Sequence, residues 1–125
     1  MIKILPDTSF LVSCIEFKID WEKEFTRILN ENFKIIILDN VFSEIEKIEG
    51  KGGKKGKQAK LVKTIILTKK YERKKGKEEH TDDILLELSD NFLIITQDSE
   101  LKKRVKDKGN SVGYIRQKKY VQIDD

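Results

Sequence analysis

Four short segments of the chain have the apolar character of β-strands. They span residues 2–5, 33–39 (FKIIILD), 91–96 (NFLIIT) and 111–115 (SVGYI). The second and third of them are apolar at consecutive positions rather than at alternate ones, which is typical of strands covered on both faces. The pattern therefore predicts a buried central sheet.

Segments with helical periodicity separate these strands. In WEKEFTRILNEN, for example, Trp21 and Phe25 begin a series of apolar residues that recur at helical spacing. The first predicted helix is short and directly follows Asp7. The others span residues 21–32, 41–49, 57–72, 81–90 and 98–109. Because strands that alternate with helices are joined by right-handed crossovers, the sequence predicts an α/β fold with a parallel sheet and helices on both faces.

Glycine and lysine interrupt this alternation. Residues 50–56 (GKGGKKG) predict a flexible basic loop over about residues 50–57. Residues 73–80 (RKKGKEEH) are predicted to form a polar connection, and a polar C-terminal tail is predicted over about residues 116–125. The length of 125 residues fits one domain, so we expect residues 1–125 to fold as a single unit.

Charge indicates what kind of partner the protein has. Charged residues make up 38% of the chain, and 26 Lys+Arg against 22 Asp+Glu give a formal net charge of +4. The excess lysine is concentrated in residues 51–60 and 69–77. Basic patches with acidic positions between them favour a polyanionic partner over an acidic small molecule.

Cysteine usage and hydropathy indicate the compartment. The single cysteine, Cys14, has no partner within the chain, which excludes an internal disulfide and a cysteine-based zinc site. No apolar run has the length of a membrane span, and no signal-peptide pattern is present. We therefore expect a soluble, cytoplasmic protein that does not associate with membranes.

Acidic residues recur where the predicted strands end. They are Asp7 after the first strand, Asp39 and Glu44 after the second, Asp82 and Asp83 on the helix before the third, and Asp98 after the third. Ligands of open parallel sheets bind at the carboxyl ends of the strands, where all these positions fall. Carboxylates gathered there repel one another unless a cation lies between them, and hard divalent cations prefer oxygen ligands. The pattern predicts a divalent metal site, with no cluster to indicate zinc.

Each acid also has a purely local interpretation. Aspartate is a favoured helix N-cap, and acids in a first helical turn interact with the helix dipole, which explains Asp7, Asp83 or Asp98 individually. The metal site therefore depends on the acids converging. At about 100° per residue, Asp82 lies at the margin of its helix's apolar face and Asp83 points nearly opposite, so Asp82 is the predicted inward acid and Asp83 the second choice. Thr81 is the predicted N-cap of that helix.

Four motifs carry a resemblance to a known family. ILPDTSFLV, VFSEIEKI, TDDILLEL and IITQDSELKKR resemble, in order and spacing, the four acidic motifs of PIN-domain nucleases. The resemblance extends to about Tyr114. It implies a three-layer α/β/α sandwich around a parallel sheet of four or five strands, and cleavage of RNA that depends on Mg²⁺ or Mn²⁺. The basic insert after the second motif resembles the branch that contains archaeal VapC-type toxins and small-subunit rRNA-processing nucleases.

Carried onto this chain residue by residue, the resemblance implies a set of site residues. The implied catalytic residues are Asp7, Glu44, Asp82 and Asp98. The same four acids are the implied metal ligands, joined by Asp83 from the doubled acid of the third motif. The hydroxyl residues that match positions beside the acids are Thr8, Ser9 and Thr96.

Lysines of the predicted loop are the candidates for contacts with the RNA backbone. They are Lys51, Lys54, Lys55 and Lys57. Such contacts would carry little sequence information. A solvated loop that resists aggregation is an equally simple interpretation of the same residues.

Two other functions that gather aspartates at strand ends fit the sequence less well. A phosphoacceptor receiver domain needs an acidic pair directly after the first strand, and a haloacid-dehalogenase-type phosphatase needs an aspartate where Ser9 stands. A non-catalytic PIN-like RNA-binding or assembly module is the alternative that the sequence leaves open. The expected partners are RNA, either an antitoxin protein or a pre-ribosomal particle, and a second copy of the chain. The apolar residues 61–67 are the candidate dimer surface, with Ile66 as its test position.

Overall fold

The computed structural model describes residues 1–125 and contains six strands and six helices. The strands are β1 (Ile2–Pro6), β2 (Phe33–Leu38), β3 (Glu72–Lys74), β4 (Leu93–Ile95), β5 (Val112–Arg116) and β6 (Tyr120–Asp124). The helices are α1 (Thr8–Glu16), α2 (Trp21–Ile28), α3 (Asp39–Lys51), α4 (Gly53–Lys69), α5 (Thr81–Leu88) and α6 (Ser99–Asp107). None of these helices combines the length and the apolar character that crossing a membrane requires.

All strands belong to one sheet with the order β3-β2-β1-β4-β5-β6. The first five strands in this order are parallel, and β6 runs antiparallel to β5. β1 lies at the centre, with Ile4 in register with Ile35 of β2 on one side and Leu93 of β4 on the other. The predicted α/β class with a parallel sheet is therefore confirmed, and the sheet has six strands rather than four or five.

The core explains why the strands read as continuous apolar runs. Residues 35–38 of β2 are all buried, although successive side chains of a strand point to opposite faces, so the sheet is covered on both sides. Helices supply aromatic residues to this core. Phe25 of α2 stacks on Phe10 of α1 and meets Phe33 edge-on, with ring centroids 5.9 Å apart in both pairs. Burying a phenylalanine side chain stabilises the fold by roughly 1.5–3 kcal/mol.

The basic segment predicted as a flexible loop is helical, so that prediction is wrong. α3 extends to Lys51 and α4 begins at Gly53, leaving only Gly52, at φ 70°, between them. A Cβ built on Gly56 would lie 3.2 Å from the carbonyl oxygen of Glu49, so glycine allows α4 to pack closely on α3. The glycines here serve a tight helix-to-helix turn and a close approach, rather than flexibility.

Two strands were not predicted, because the backbone ladder forms them rather than an apolar pattern. The sequence of β3 is Glu-Arg-Lys, and it pairs with β2 from Glu72 opposite Ile36 to Lys74 opposite Leu38. The predicted polar tail contains β6, which forms a hairpin with β5 and buries Val121. Both are edge strands, where the intrinsic preferences of the side chains predict strand formation poorly.

The predicted dimer surface over residues 61–67 is also revised. Val62 and Ile66 belong to the core, with 0% and 2% of their surface exposed, so Ile66 is wrong as a surface position. Leu61 and Leu67 are exposed. They are six positions apart on α4 and so point to different sides of the helix.

Candidate functional site

Asp7 lies where the central strand β1 ends and α1 begins. It is the N-cap of α1, and only 6% of its surface is exposed. Its Oδ1 accepts a hydrogen bond from the backbone N–H of Thr8 at 2.7 Å, and its Oδ2 accepts one from Thr96 Oγ1 at 2.9 Å. β1 has β2 on one side and β4 on the other, so Asp7 lies at the topological switch point where open α/β sheets bind ligands.

Hydroxyl groups join the end of β1 to the loop after β4. Thr96 Oγ1, which donates to Asp7, also accepts a hydrogen bond from the backbone N–H of Asp98 at 3.1 Å. Ser9 Oγ donates to Asp7 Oδ2 at 3.3 Å and accepts from the backbone N–H of Gln97 at 3.1 Å. The loop that carries Asp98 is thereby fixed against Asp7. Asp98 in turn caps α6, with Oδ1 accepting from the N–H groups of Glu100 and Leu101.

Glu44 of α3 links α1 and α5 beside Asp7. Thr8 Oγ1 donates to its Oε1 at 2.7 Å, and Thr81 Oγ1 donates to its Oε2 at 2.5 Å. The structure corrects the role predicted for Thr81: His80 is the N-cap of α5, without a side-chain cap bond, and Thr81 is the first helical residue. Its hydroxyl is therefore free to bind Glu44 instead of the backbone of α5.

The adjacent acids of α5 have different surroundings. Asp82 is half-buried and lies close enough to Asp98 and Glu44 for their charges to act on it. Asp83 is exposed, and its Oδ1 forms an ion pair with Nη2 of Arg104 on α6 at 2.9 Å. The structure thus places Asp82 among the other acids and Asp83 outside them.

Burial and neighbouring charges raise the pKa of two of these acids, Asp7 and Asp82. Burial raises the pKa of Asp7 to about 6, and the charges of Glu44 and Asp82 add to this effect, while the hydrogen bonds from Thr96 and Thr8 oppose it. The pKa of Asp82 is raised as well, first by burial and then by the charges of Asp98 and Glu44. All four acids are therefore linked in one electrostatically coupled cluster, which we call the acid cluster: Asp7, Glu44, Asp82 and Asp98.

The donor chemistry of the acid cluster fits a hard divalent cation. Its donors are oxygen atoms only, and a dication among them would relieve the repulsion that raises the pKa of Asp7 and Asp82. With the side chains as they stand, no three acidic, histidine or cysteine residues are arranged to hold a metal ion. The hydroxyl groups and the α6 N-terminus instead take up the oxygens of Asp7, Glu44 and Asp98, so metal binding requires these side chains to rearrange.

The remaining predicted residues lie outside the acid cluster. Asp39 accepts hydrogen bonds from the guanidinium of Arg73, with Nη2 at 2.8 Å, and this guanidinium stacks 3.9 Å above the ring of Phe42. The lysines predicted to contact RNA are exposed and lie at the α3–α4 turn: Lys51, Lys54, Lys55 and Lys57.

Two residues of the site were not found from the sequence. Thr81 holds Glu44, and the side-chain amide of Gln97 bonds both backbone groups of Ile115, so that it ties the loop of Asp98 to β5. A signal for Thr81 exists in retrospect, since hydroxyl residues also adjoin Asp7 and Asp98 along the chain. Gln97 had none, because its partner is backbone.

The fold and this site define the class of protein. Residues 4–118 match a family model described as a PIN-like domain, so the chain belongs to the PIN-like domain family. It is similar to Ribonuclease VapC4 of Methanocaldococcus jannaschii, with 34% identity over 128 aligned positions that cover 98% of this chain and 97% of that protein.

Solved structures share the fold. The PIN domain endonuclease Utp24 superposes with a TM-score of 0.80 at 22% identity, covering 98% of this chain and 90% of that one. A domain of a functionally unknown protein from Methanocaldococcus jannaschii superposes with a TM-score of 0.65 at 16% identity, covering 93% and 92% of the two chains. The recognition of a PIN-like chain from its four motifs is confirmed.

Proposed function

We propose that this protein is an endoribonuclease that hydrolyses RNA phosphodiester bonds with the help of Mg²⁺ or Mn²⁺. The observation that carries the proposal is the acid cluster at the carboxyl ends of β1 and β4, where four acids from four different segments affect one another or share hydroxyl partners. The similarity to Ribonuclease VapC4 supports RNA as the substrate.

Asp7, Asp82 and Asp98 would hold the divalent ion, with Glu44 completing the site directly or through water. When bound, the ion supplies a more acidic water for in-line attack and neutralises charge on the phosphodiester. Asp83 is not proposed as a ligand, because its carboxylate is paired with Arg104.

The protein's own residues set the positions of these acids. The Thr96 hydroxyl donates to Asp7 and accepts from the backbone N–H of Asp98, so it fixes the spacing between these two acids. Thr8 and Thr81 hold Glu44 from both sides with neutral hydroxyl groups, which orient the carboxylate without cancelling its charge. The exposed lysines of the α3–α4 turn remain proposed contacts for RNA phosphates: Lys51, Lys54, Lys55 and Lys57.

The activity is tested by incubating a labelled RNA with the purified protein in Mn²⁺, in Mg²⁺ and in EDTA. Cleavage should require the metal, and Asp98→Asn should reduce kcat/KM by at least about 100-fold. Loss of a residue that only hydrogen-bonds a metal ligand typically costs about 10- to 100-fold, and loss of a ligand should cost more. Asp90→Asn is a matched control, because Asp90 is an exposed acid that bonds Lys108 and Asn110 away from the acid cluster. Cleavage that persists in EDTA, or that Asp98→Asn leaves intact, would contradict the proposal.

A non-catalytic RNA-binding or assembly module is the second candidate. It is favoured by the absence of any three acids arranged for a metal ion in the structure as it stands. Calorimetry with Mn²⁺ separates the two candidates. A nuclease should bind Mn²⁺ in a manner that Asp7→Asn weakens, whereas RNA binding without Mn²⁺ binding or cleavage would support the module.

Two cellular roles are consistent with such a nuclease, and they predict different partners. A toxin would be silenced by an antitoxin protein, whereas an rRNA-processing enzyme would act within a pre-ribosomal particle. The gene immediately upstream distinguishes the two roles. A homodimer is a further proposal, and light scattering measures it.

A further inference from the structure

A second positively charged surface lies at the turn between β5 and β6. Arg116, Lys118 and Lys119 occupy this turn, all three are exposed, and none of them forms an ion pair, although the Lys118 ammonium lies 5.8 Å from the centroid of the Phe17 ring. Because β5 is parallel to β1 and β4, its last residue, Arg116, emerges at the sheet edge that carries the acid cluster. We call these three cations the hairpin cations.

Hydrogen bonds fix this turn to the loop of Asp98. Gln97 Nε2 donates to the carbonyl oxygen of Ile115 at 3.3 Å, and Gln97 Oε1 accepts from the N–H of Ile115. Gln97 directly precedes Asp98, and Ile115 directly precedes Arg116. The first hairpin cation, Arg116, is therefore adjacent to a residue whose backbone is hydrogen-bonded to the loop that carries Asp98.

A groove begins one residue beyond Asp98. It has a volume of about 390 Å³ and lies between α6 and the β5–β6 hairpin. Ser99, which follows Asp98, lines it together with Lys102, Lys103 and Tyr114. Lys102 lies 4.3 Å above the ring of Tyr114. The cations of this groove, Lys102, Lys103 and Lys106, all come from α6, while Asp107 and Asp124 also line it and none of the hairpin cations does.

The conformation of the turn is unfavourable for the residues it contains. Gln117 and Lys118 both have positive φ, at 55° and 56°, and the N–H of Lys119 bonds the carbonyl of Arg116. Tight hairpin turns with two positive φ angles favour Asn-Gly, because long side chains are strained there. A lysine thus occupies a position where glycine would stabilise the turn, although Lys18 and Lys70 also have positive φ, so the strain alone does not single out this turn.

We propose that the hairpin cations bind the RNA backbone on one side of the cleaved phosphodiester, so that the β5–β6 turn holds the substrate against the acid cluster. This inference rests on the proposed function for the identity of the polyanion. It assigns substrate holding to a segment that the sequence indicated only as a polar tail.

Binding rather than cleavage tests this inference. The probe is a fluorescein-labelled single-stranded RNA of 20 nucleotides, titrated with the full chain in EDTA at several salt concentrations. Arg116→Gln/Lys118→Gln/Lys119→Gln should weaken binding at least about tenfold at low salt and reduce the slope of log K against log salt by about 2, since each phosphate contact contributes about 0.7. An unchanged slope would overturn the inference.

The matched control removes the same charge elsewhere. Lys3, Lys23 and Lys70 also lack ion pairs, and none of them belongs to the β5–β6 turn: Lys3 is the second residue of β1, Lys23 lies on α2, and Lys70 lines a cavity with Glu22 and Phe33. Lys3→Gln/Lys23→Gln/Lys70→Gln should leave affinity and slope close to those of the wild type. An equal loss in both triple variants would indicate that only net charge matters, and would overturn the assignment.

Two single variants separate charge from turn stability. Lys118→Gly should raise Tm, because glycine relieves the positive φ, and should nevertheless weaken RNA binding. Gln117→Asn should raise Tm and leave binding unchanged. Lys118→Gly with unchanged affinity would overturn the inference. If the hairpin cations bind RNA but no metal-dependent cleavage occurs, the proposed nuclease activity fails while this surface stands.

Discussion

The acid cluster has an inner half and an outer half that are held in different ways. In the inner half, each carboxylate oxygen of Asp7 and Glu44 accepts a hydrogen bond from a hydroxyl or a backbone N–H. In the outer half, Asp98 accepts only from backbone N–H groups of its own helix, and Asp82 is half-buried beside like charges. The inner acids are therefore held by donors from several segments, which a metal ion would have to displace, while the outer acids have fewer such contacts to give up.

The largest expected effect is on cleavage by the inner half. Asp7→Asn should lower kcat/KM on labelled RNA by at least about 100-fold, because the amide lacks the charge that a divalent ion needs and substitutions one step further from a metal already cost 10- to 100-fold. Asparagine is as good an N-cap as aspartate, so α1 should be preserved. A loss below tenfold would indicate that Asp7 is a helix cap only, and would remove the distinction between the halves.

The same substitution should stabilise the protein. Burial raises the pKa of Asp7 from 3.8 to about 6, so ionisation opposes folding, and the stability present below pH 3.8 is lost as pH rises through 6. Without metal, Asp7→Asn should therefore raise the free energy of unfolding at pH 8 by up to about 3 kcal/mol, since each pKa unit corresponds to about 1.4 kcal/mol. Urea denaturation in EDTA from pH 3.5 to 8 measures this.

Two observations sharpen this prediction. The stability difference between the two proteins should nearly vanish near pH 3.5, where the wild-type carboxyl is protonated in the folded state and mostly protonated in the unfolded state, and Mn²⁺ should narrow the difference at pH 8 by binding the wild type. Asp98→Asn should show no comparable gain, because Asp98 is only half-buried. A difference in the free energy of unfolding that does not depend on pH would mean that the charge of Asp7 does not destabilise the folded protein.

Removing the hydroxyl group that joins the two halves should have the next largest effect on cleavage. Thr96→Val should reduce kcat/KM by about 10- to 100-fold, because it removes the hydrogen bonds that Thr96 makes to Asp7 and to the N–H of Asp98. It should also lower the free energy of unfolding at pH 7 by about 1–3 kcal/mol, since a buried carboxylate oxygen loses a donor. Thr81→Val is the comparison, because it frees one oxygen of the less buried Glu44 and should cost less in both measurements.

The sequence was enough to locate the acids, but not the groups that hold them. The order of apolar strands and amphipathic helices predicts the α/β class and places Asp7, Glu44, Asp82 and Asp98 at one sheet edge. The hydrogen bonds of Thr81 and Gln97 were not predictable, because each depends on how two helices or a helix and a strand pack. Local patterns carry no information on such distances.

The errors in the fold have a similar cause. The glycines of the α3–α4 turn predict a loop because glycine is disfavoured in helices, yet Gly56 is needed where α4 meets the carbonyl of Glu49. β3 was missed because the exposed Glu-Arg-Lys strand is specified by its partner β2. In both cases a tertiary contact overrides a local preference.

Adjacent residues of α5 give the smallest expected effect and the sharpest comparison. Asp82→Asn and Asp83→Asn each remove one acid from the first turn of the same helix, so their effects on the helix dipole are matched. Asp83 forms an exposed ion pair with Arg104, so Asp83→Asn should change the free energy of unfolding by less than about 1 kcal/mol and kcat/KM by less than about threefold. Asp82→Asn should reduce kcat/KM by at least about tenfold, because it removes a charge from the acid cluster. Equal losses of kcat/KM in both variants would mean that the two carboxylates act as a pair. The direction in which each side chain leaves α5 would then not decide which of them serves the site.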